Sequence, residues 1–307
     1  MISRTTVVGA LVVAELAIVG MAAQAIAGDG PGIFPLRGAF APSHAATAAV
    51  VEKDFVTGPI PHVVVDVSDV HVVVQTGSSL NVHVVGHVYR HGWASGGVSN
   101  VAAVQTPDGV RITAPNDGGH VVMAFGWFDR TVQITVPPTA RVEVASAERV
   151  DASGLRAKLV AHIVKGPIYV RDHRGDVDVS CATGRIVLTD VQGSDVAANT
   201  RDGRLLFTRV GADRIDAVTN SGRIAAVDLR ALDGALLTHD GHVSVSFTGD
   251  TDATVTAHTD DGKVHAAGLS ATAAGAGQST VTLGSGRGRF EVSSGDGSIT
   301  LTQGASV

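Results

Sequence analysis

The chain has 307 residues, 44% hydrophobic but only 4% aromatic, with 37 glycines and a formal net charge of −6. That acidic balance, with a pI near 6.1, excludes the basic face expected of a nucleic-acid-binding protein. The single cysteine, Cys181, excludes an intramolecular disulfide and a cysteine-based metal cluster, and reads as a buried, inert thiol. Valine, alanine, glycine and threonine dominate, which predicts many short strands joined by tight turns around an interior too narrow for large rings.

Residues 1–27 read as a signal peptide or membrane anchor. Val7 to Ala27 is apolar except for Glu15 and Gln24 and follows Arg4, the arrangement of an export segment. Its length favours an uncleaved anchor, whereas Ala25-Ile26-Ala27 before Gly28 fits small-x-small cleavage; both readings stand. With no cysteine nearby the lipoprotein route is excluded, and the rest of the chain is expected outside the cytoplasm, membrane-anchored, secreted or periplasmic. Residues 28–50, rich in Pro, Gly, Ala and Ser, read as a linker.

Residues 51–149 contain period-two stretches such as "HVVVDVSDVHVVVQT", "GVRITAP" and "RTVQITVPP", expected as an antiparallel β region leading into a repeat region. From residue 150 to 307 the pattern becomes periodic. Glycines preceded by a turn residue and followed by an apolar alternation fall at Gly166, Gly184, Gly203, Gly222, Gly241 and Gly262. Aligned on them, "GRIVLTDVQGSDVAANTRD", "GRLLFTRVGADRIDAVTNS" and "GRIAAVDLRALDGALLTHD" share one register, so one unit is copied. Ile186, Leu205, Ile224, Val243 and Val264 stand two residues after each glycine, and Leu188, Phe207, Ala226, Val245 and Ala266 four after; strand alternation turns both columns inward. A second, weaker strand carries Val196, Ala198, Ile215 and Ala217, giving each coil two sides. Too few inward aliphatics exist in one coil to offset its ordering entropy, so coils must stack about 4.8 Å apart. The expected fold is all-β, a single-stranded β-solenoid of about 19-residue coils, with "GSGRGRFEVSSGDGSITLTQG" as a degenerate final coil capping the open end.

This succession of export segment, β region, "VQITVPPTARVEVASAERVDASGL" with its Val136-Pro137 step, and D/S-G-x-I/V turns resembles the bacterial DUF4097 proteins, also called toastrack domains and labelled adhesins, from about Val51 to the C-terminus. The doubled proline Pro137-Pro138 and the frequent Asp-Gly and Thr-Gly turns depart from that family's usual Ser-Gly turns. The resemblance implies a β-solenoid outside the cytoplasmic membrane, often beside envelope-stress modules, with no catalytic residue to carry over.

One residue after each glycine stands Arg185, Arg204, Arg223, His242 or Lys263, an outward basic stripe for an anionic envelope polymer or lipid surface. Like charges about 5 Å apart in water repel by roughly 0.8 kcal/mol per pair, so the competing reading is a surface charge lattice with Asp202, Asp240 and Asp261. Asp176/Asp178 and Asp250/Asp252 invite comparison with polysaccharide-active β-helix enzymes, though turn acids mostly cap their own backbone. His83, His87 and His91 would lie about 13 Å apart along a strand, too far for one ion, unless His62, His71 or His120 completed a site. Neither G-x-S-x-G nor H-E-x-x-H occurs. No catalytic residue, metal or cofactor is assigned. The expected function is a non-enzymatic extracytoplasmic scaffold, binding or adhesin-like protein, partnered by an envelope protein or an anionic polymer or lipid; the alternatives are a polysaccharide-active enzyme and a self-assembling structural solenoid.

Overall fold

A computed structural model describes residues 46–78, 81–92, 101–114, 126–275 and 277–304. The export segment, most of the linker and His120 lie outside the described residues. Among the described residues every regular element is a strand.

β1 (Ala46–Phe55) is followed by β2 (His62–Val67) and β3 (His71–Thr76), two straight passes joined by a corner in which Asp69 takes φ +54°. β4 (Val82–Gly92) returns antiparallel to β1, and β5 (Ala102–Thr106) forms a hairpin with β6 (Gly109–Ala114). β7 (Gly126–Val136) is antiparallel to β4 but parallel to β3, with Ile134 opposite both Val84 and Val74. β8 (Arg141–Ala145) and β9 (Arg149–Ser153) then lie parallel to β2 and β3, pairing Val142 with Val63 and Val150 with Val72. The coil β2/β3 is therefore sandwiched between β6/β7 and β8/β9. The expected antiparallel region before residue 150 is thus mixed: among the described residues β1–β4–β7 and β5–β6 pair antiparallel, whereas β2 and β3 stack in parallel between their neighbours. Its alternating valines (Val63, Val65, Val67, Val72, Val74), buried against the next coil, fit a parallel rung as well as a hairpin, and period two cannot tell these apart.

From β10 (Leu159–Lys165) and β11 (Ile168–Arg174) onward the chain coils regularly through β12 (Val177–Ser221), β13 (Ile224–Asp240) and β14 (Val243–Phe247), with the longer strands running unbroken around corners. Leu159 faces Val177, Ile168 faces Ile186, Leu205 faces Ile224, and Ile224 faces Val243, all in parallel register. Each coil is flattened, so inward residues of its two passes meet in one narrow core. Contrary to the expectation of an interior too tight for large rings, that core holds Phe207, Phe247 and Phe290, and the last two meet edge to face at 5.6 Å.

The C-terminal end departs from sequence order. β15 (Ala253–Asp261) and β16 (Val264–Ala266) are followed by the strands β17 (Ala271–Gly275) and β18 (Gln278–Leu283), then by β19 (Gly288–Asp296) and β20 (Ile299–Gln303). The last coil does not cap the stack. It inserts between its predecessors: Val292 lies between Leu236 and Ala257, and Leu301 between Val245 and Ala266. Packing explains the order. Phe290, Val292, Ile299 and Leu301 are buried on both sides, whereas Val264 and Ala266 of the three-residue β16 are only partly buried, so the weaker apolar rung takes the exposed end. A hydrogen bond agrees, because the Arg289 backbone N–H donates to the Asp233 carboxylate at 2.9 Å. Asp252 fixes the return by accepting hydrogen bonds from the Ser285 and Arg287 backbone N–H groups and both their side chains. The end is closed instead by β18, antiparallel to both β15 and β17.

Candidate functional site

The glycines of the repeat form one corner column. A Cβ on Gly184 would strike the Gly166 carbonyl oxygen, and the same relation links Gly203 to Gly184, Gly222 to Gly203 and Gly241 to Gly222. At Gly166 the backbone also takes φ +114°, which side-chain-bearing residues avoid. Beyond Gly241 the column passes to Gly297 and only then to Gly262. Hydroxyls pin this corner from inside: Thr238 donates to the Gly222 carbonyl at 3.2 Å, Ser294 to Gly241 at 2.8 Å and Thr259 to Gly297 at 2.8 Å. The buried column Cys181, Thr200, Thr219, Thr238, Ser294 and Thr259 always stands three residues before the glycine. This T-x-x-G spacing is visible in the sequence ("NTRDG", "VTNSG", "LTHDG", "HTDDG") but escapes a reading that looks only for apolar columns.

With no side chains at the corner, the glycines form the floor of two shallow open depressions of about 560 and 420 Å³. Gly203 and Arg204 belong to both, so the two join into one groove along the stack. The predicted basic column lines one wall. Arg185, Arg204, Arg223 and His242 stand on successive coils, exposed. Lys263 is not next in line: the inserted coil puts Ser298 between it and His242, with Ser298 N and Oγ 3.1 and 3.0 Å from His242 Nδ1. The opposite wall carries Lys165, Thr183, Asp202, Ser221 and Asp240.

The charge lattice expected between these walls does not form. Asp202 pairs with Arg201 at 3.0 Å and Asp240 is met by the Ser221 hydroxyl at 3.5 Å. The guanidinium groups of Arg185, Arg204 and Arg223 make no ion pair with any described residue. At the first coils the arrangement differs. Asp151 accepts from His71 at 2.5 Å and from Arg149 at 2.6 and 3.2 Å. Burial alone would raise its carboxyl, but these bonds outweigh it and hold the group at about 2. Arg149 and Arg171 also stand 4.9 and 5.8 Å from the ring centre of Tyr169, which lines the near end of the groove.

The other candidates settle into structural roles. Asp252 is held at about 2, chiefly by the Arg287 guanidinium and then by the Arg287 backbone, and the Thr248 hydroxyl lowers Asp250. A glycosidase general acid needs the opposite shift. Asp176 caps the backbone N–H groups of Ser194 and Asp195. His83 pairs with Asp54 at 2.8 Å, and His62 lies 3.5 and 3.6 Å from Asp108 and Glu143; among the described residues no three His, Cys, Asp or Glu converge to hold a metal. Cys181 is buried with Sγ 3.5 Å from the Thr200 hydroxyl, and burial pushes its thiol up. His173 occupies the inward column continued by Val191, Val210 and Leu229; burial lowers its pKa, partly countered by the Asp176 and Gly175 backbone.

The profile of the Toastrack DUF4097 family matches residues 60–302. The chain belongs to that family. The matched span opens just before β2 and closes within β20, so this toastrack comprises the inserted coils at both ends as well as the regular middle. Solved structures similar to it include a "putative cell adhesion protein" of Clostridium sporogenes (12% identity, 83% of this chain and 99% of that one, TM-score 0.30). A "putative adhesin" of Bacteroides fragilis (11%, 85% and 98%, 0.40) and one of Parabacteroides merdae (10%, 82% and 95%, 0.44) are also similar. No curated protein matches the chain.

Proposed function

We propose that this toastrack protein is a non-enzymatic, extracytoplasmic β-solenoid that works as an adhesin-like binding surface or scaffold at the cell envelope. One observation carries the reading: Arg185, Arg204 and Arg223 line one wall of an open groove, and none of them forms an ion pair with a described residue. Guanidinium groups at rung spacing repel one another, and an extended anionic partner relieves that repulsion. The apolar segment Val7 to Ala27 supports delivery across the membrane. Among the described residues the interior is filled by valine, isoleucine, leucine, alanine and phenylalanine, which leaves the corners and outward faces for recognition. The test is a pull-down from envelope membranes with the full chain and with Arg185→Gln/Arg204→Gln/Arg223→Gln. Loss of an envelope component in the triple variant is expected; equal recovery by both chains would refute a role for the column.

A further inference from the structure

From the two walls of the groove we infer a ligand class: an extended acidic polysaccharide, whose sparse carboxylates meet Arg185, Arg204 and Arg223 and whose hydroxyls meet Thr183, Asp202, Ser221 and Asp240. This rests on the binding reading above and narrows it. A uniformly basic surface would suit any polyanion, but Asp202 and Asp240 line the wall opposite the arginines. Asp202 is paired with Arg201 and Lys165 shares that wall, so Asp240 supplies most of the repulsion toward a bilayer of phosphate headgroups or a polyphosphate, both of which bring charge to every side. A polyhydroxylated chain gains from the same groups, since carboxylates and hydroxyls accept hydrogen bonds from sugar hydroxyls while the planar guanidinium matches a carboxylate in bidentate fashion.

The groove's shape points the same way. Its floor is bare backbone from Gly166 to Gly241, so a ribbon-like polymer can lie close to the corner. Four rung steps of about 4.8 Å give it a length of roughly 19 Å, long enough for several sugar residues in a row. One end is bounded by Tyr169, whose ring is already engaged by the Arg149 and Arg171 guanidinium groups, and at the other Ser298 interrupts the basic column after His242. The ligand therefore lies parallel to the stack axis over the coils that follow one another in sequence.

The probes are sodium polygalacturonate, its oligomers of increasing length, neutral dextran, polyphosphate and phosphatidylglycerol nanodiscs, applied to the immobilised full chain. Polygalacturonate is expected to bind, with affinity rising with oligomer length and levelling once the groove is filled. Arg185→Gln/Arg204→Gln/Arg223→Gln should weaken it about 10- to 100-fold, from three exposed charge pairs. Asp202→Ala/Asp240→Ala separates hydroxyl recognition from bare charge: it should weaken polygalacturonate severalfold and tighten polyphosphate. Tighter polygalacturonate binding by that variant, equal binding of dextran, or length-independent affinity would overturn the polysaccharide assignment. Arginine-dependent binding of nanodiscs or polyphosphate alone would overturn it too while leaving the binding surface standing. No arginine-dependent binding of any probe, with the membrane pull-down also unchanged, would sink both.

Discussion

Phe290→Ala tests the inserted position of the last coil. Phe290 is 2% exposed, meets the Phe247 ring edge to face at 5.6 Å, and sits between Gly234 and Val255 on the flanking rungs. Truncating a buried phenylalanine costs about 3–5 kcal/mol, and the lost ring pair adds about 0.5–1.5 kcal/mol, so a loss near 4–6 kcal/mol is expected. For a domain of this size each kcal/mol moves Tm by about 2–4 °C, giving a fall of roughly 8–24 °C. Far-UV circular dichroism on heating and in urea reads the change, and amide exchange locates it. In a sandwiched coil, protection should fall both at 234–247 and at 253–266, because those rungs pair with each other only through 288–303. A Tm change under about 3 °C, with protection lost only within 288–303, is the behaviour of a fraying terminal cap and would refute the insertion.

His173→Val should stabilise the chain by about 1–3 kcal/mol, since it continues the Val191, Val210 and Leu229 column and removes a buried imidazole with poorly met ring nitrogens. In the parent chain the folded ring resists protonation while the unfolded ring takes a proton below its ordinary 6.5, so stability should fall as pH drops through 6.5; urea titrations from pH 8 to 5 should show that slope flattened in the variant. Asp151, held at about 2 against an ordinary 3.8, contributes stability above pH 3.8 that is lost as pH falls from there toward 2. Asp151→Asn should cost about 1–2 kcal/mol at pH 7 and shrink that acid limb, to which Asp252 also contributes, an unchanged limb being the contrary result. Because antiparallel strands close the parallel stack at both ends, light scattering should give a mass independent of concentration, whereas a mass that climbs would favour the self-assembling solenoid.

The regular middle of the stack was legible because its signals are local. Glycine, basic residue and two inward apolar residues recur within one coil, and their register on the page is their register in space from Gly184 to Gly241. The inserted ends were not, since a parallel strand has the same inward alternation whichever neighbour it pairs with: "GRFEVSSGD" fits beside β13 as well as beside β15, and only the choice between Phe290 and the small Val264–Ala266 rung decides it. Corner chemistry was half visible. Glycines marked one corner, but the other turn is made by Asp172, Asp190, Arg209 and Asp228 at φ +49° to +57°; there the Arg209 guanidinium binds the Asp190 carboxylate of the adjacent coil in bidentate fashion. A charged residue in the left-handed region leaves no mark in an apolar pattern. His173 was missed for a related reason, because a single polar residue in an inward column looks like a break in the column.

The same geometry places the proposed recognition column on the middle coils. At both ends the chain closes the stack with strands distant in sequence, so a residue there answers to neighbours on two sides that were not adjacent on the chain, as Ser298 does between His242 and Lys263. Between Gly166 and Gly241 each coil neighbours its own successor, and the residue after the glycine points away from the core at every step. A change there costs the fold almost nothing, which makes neutral residues an equally stable choice. Three arginines in a row are the less stable choice by roughly 0.8 kcal/mol for each neighbouring pair, and none of them forms an ion pair with a described acid. Arg209, five residues further along the coil than Arg204, shows that the fold places an aspartate beside an arginine where only structure is served. On the proposed function, the column Arg185–Arg204–Arg223 is the part of the surface whose charge an external ligand would satisfy.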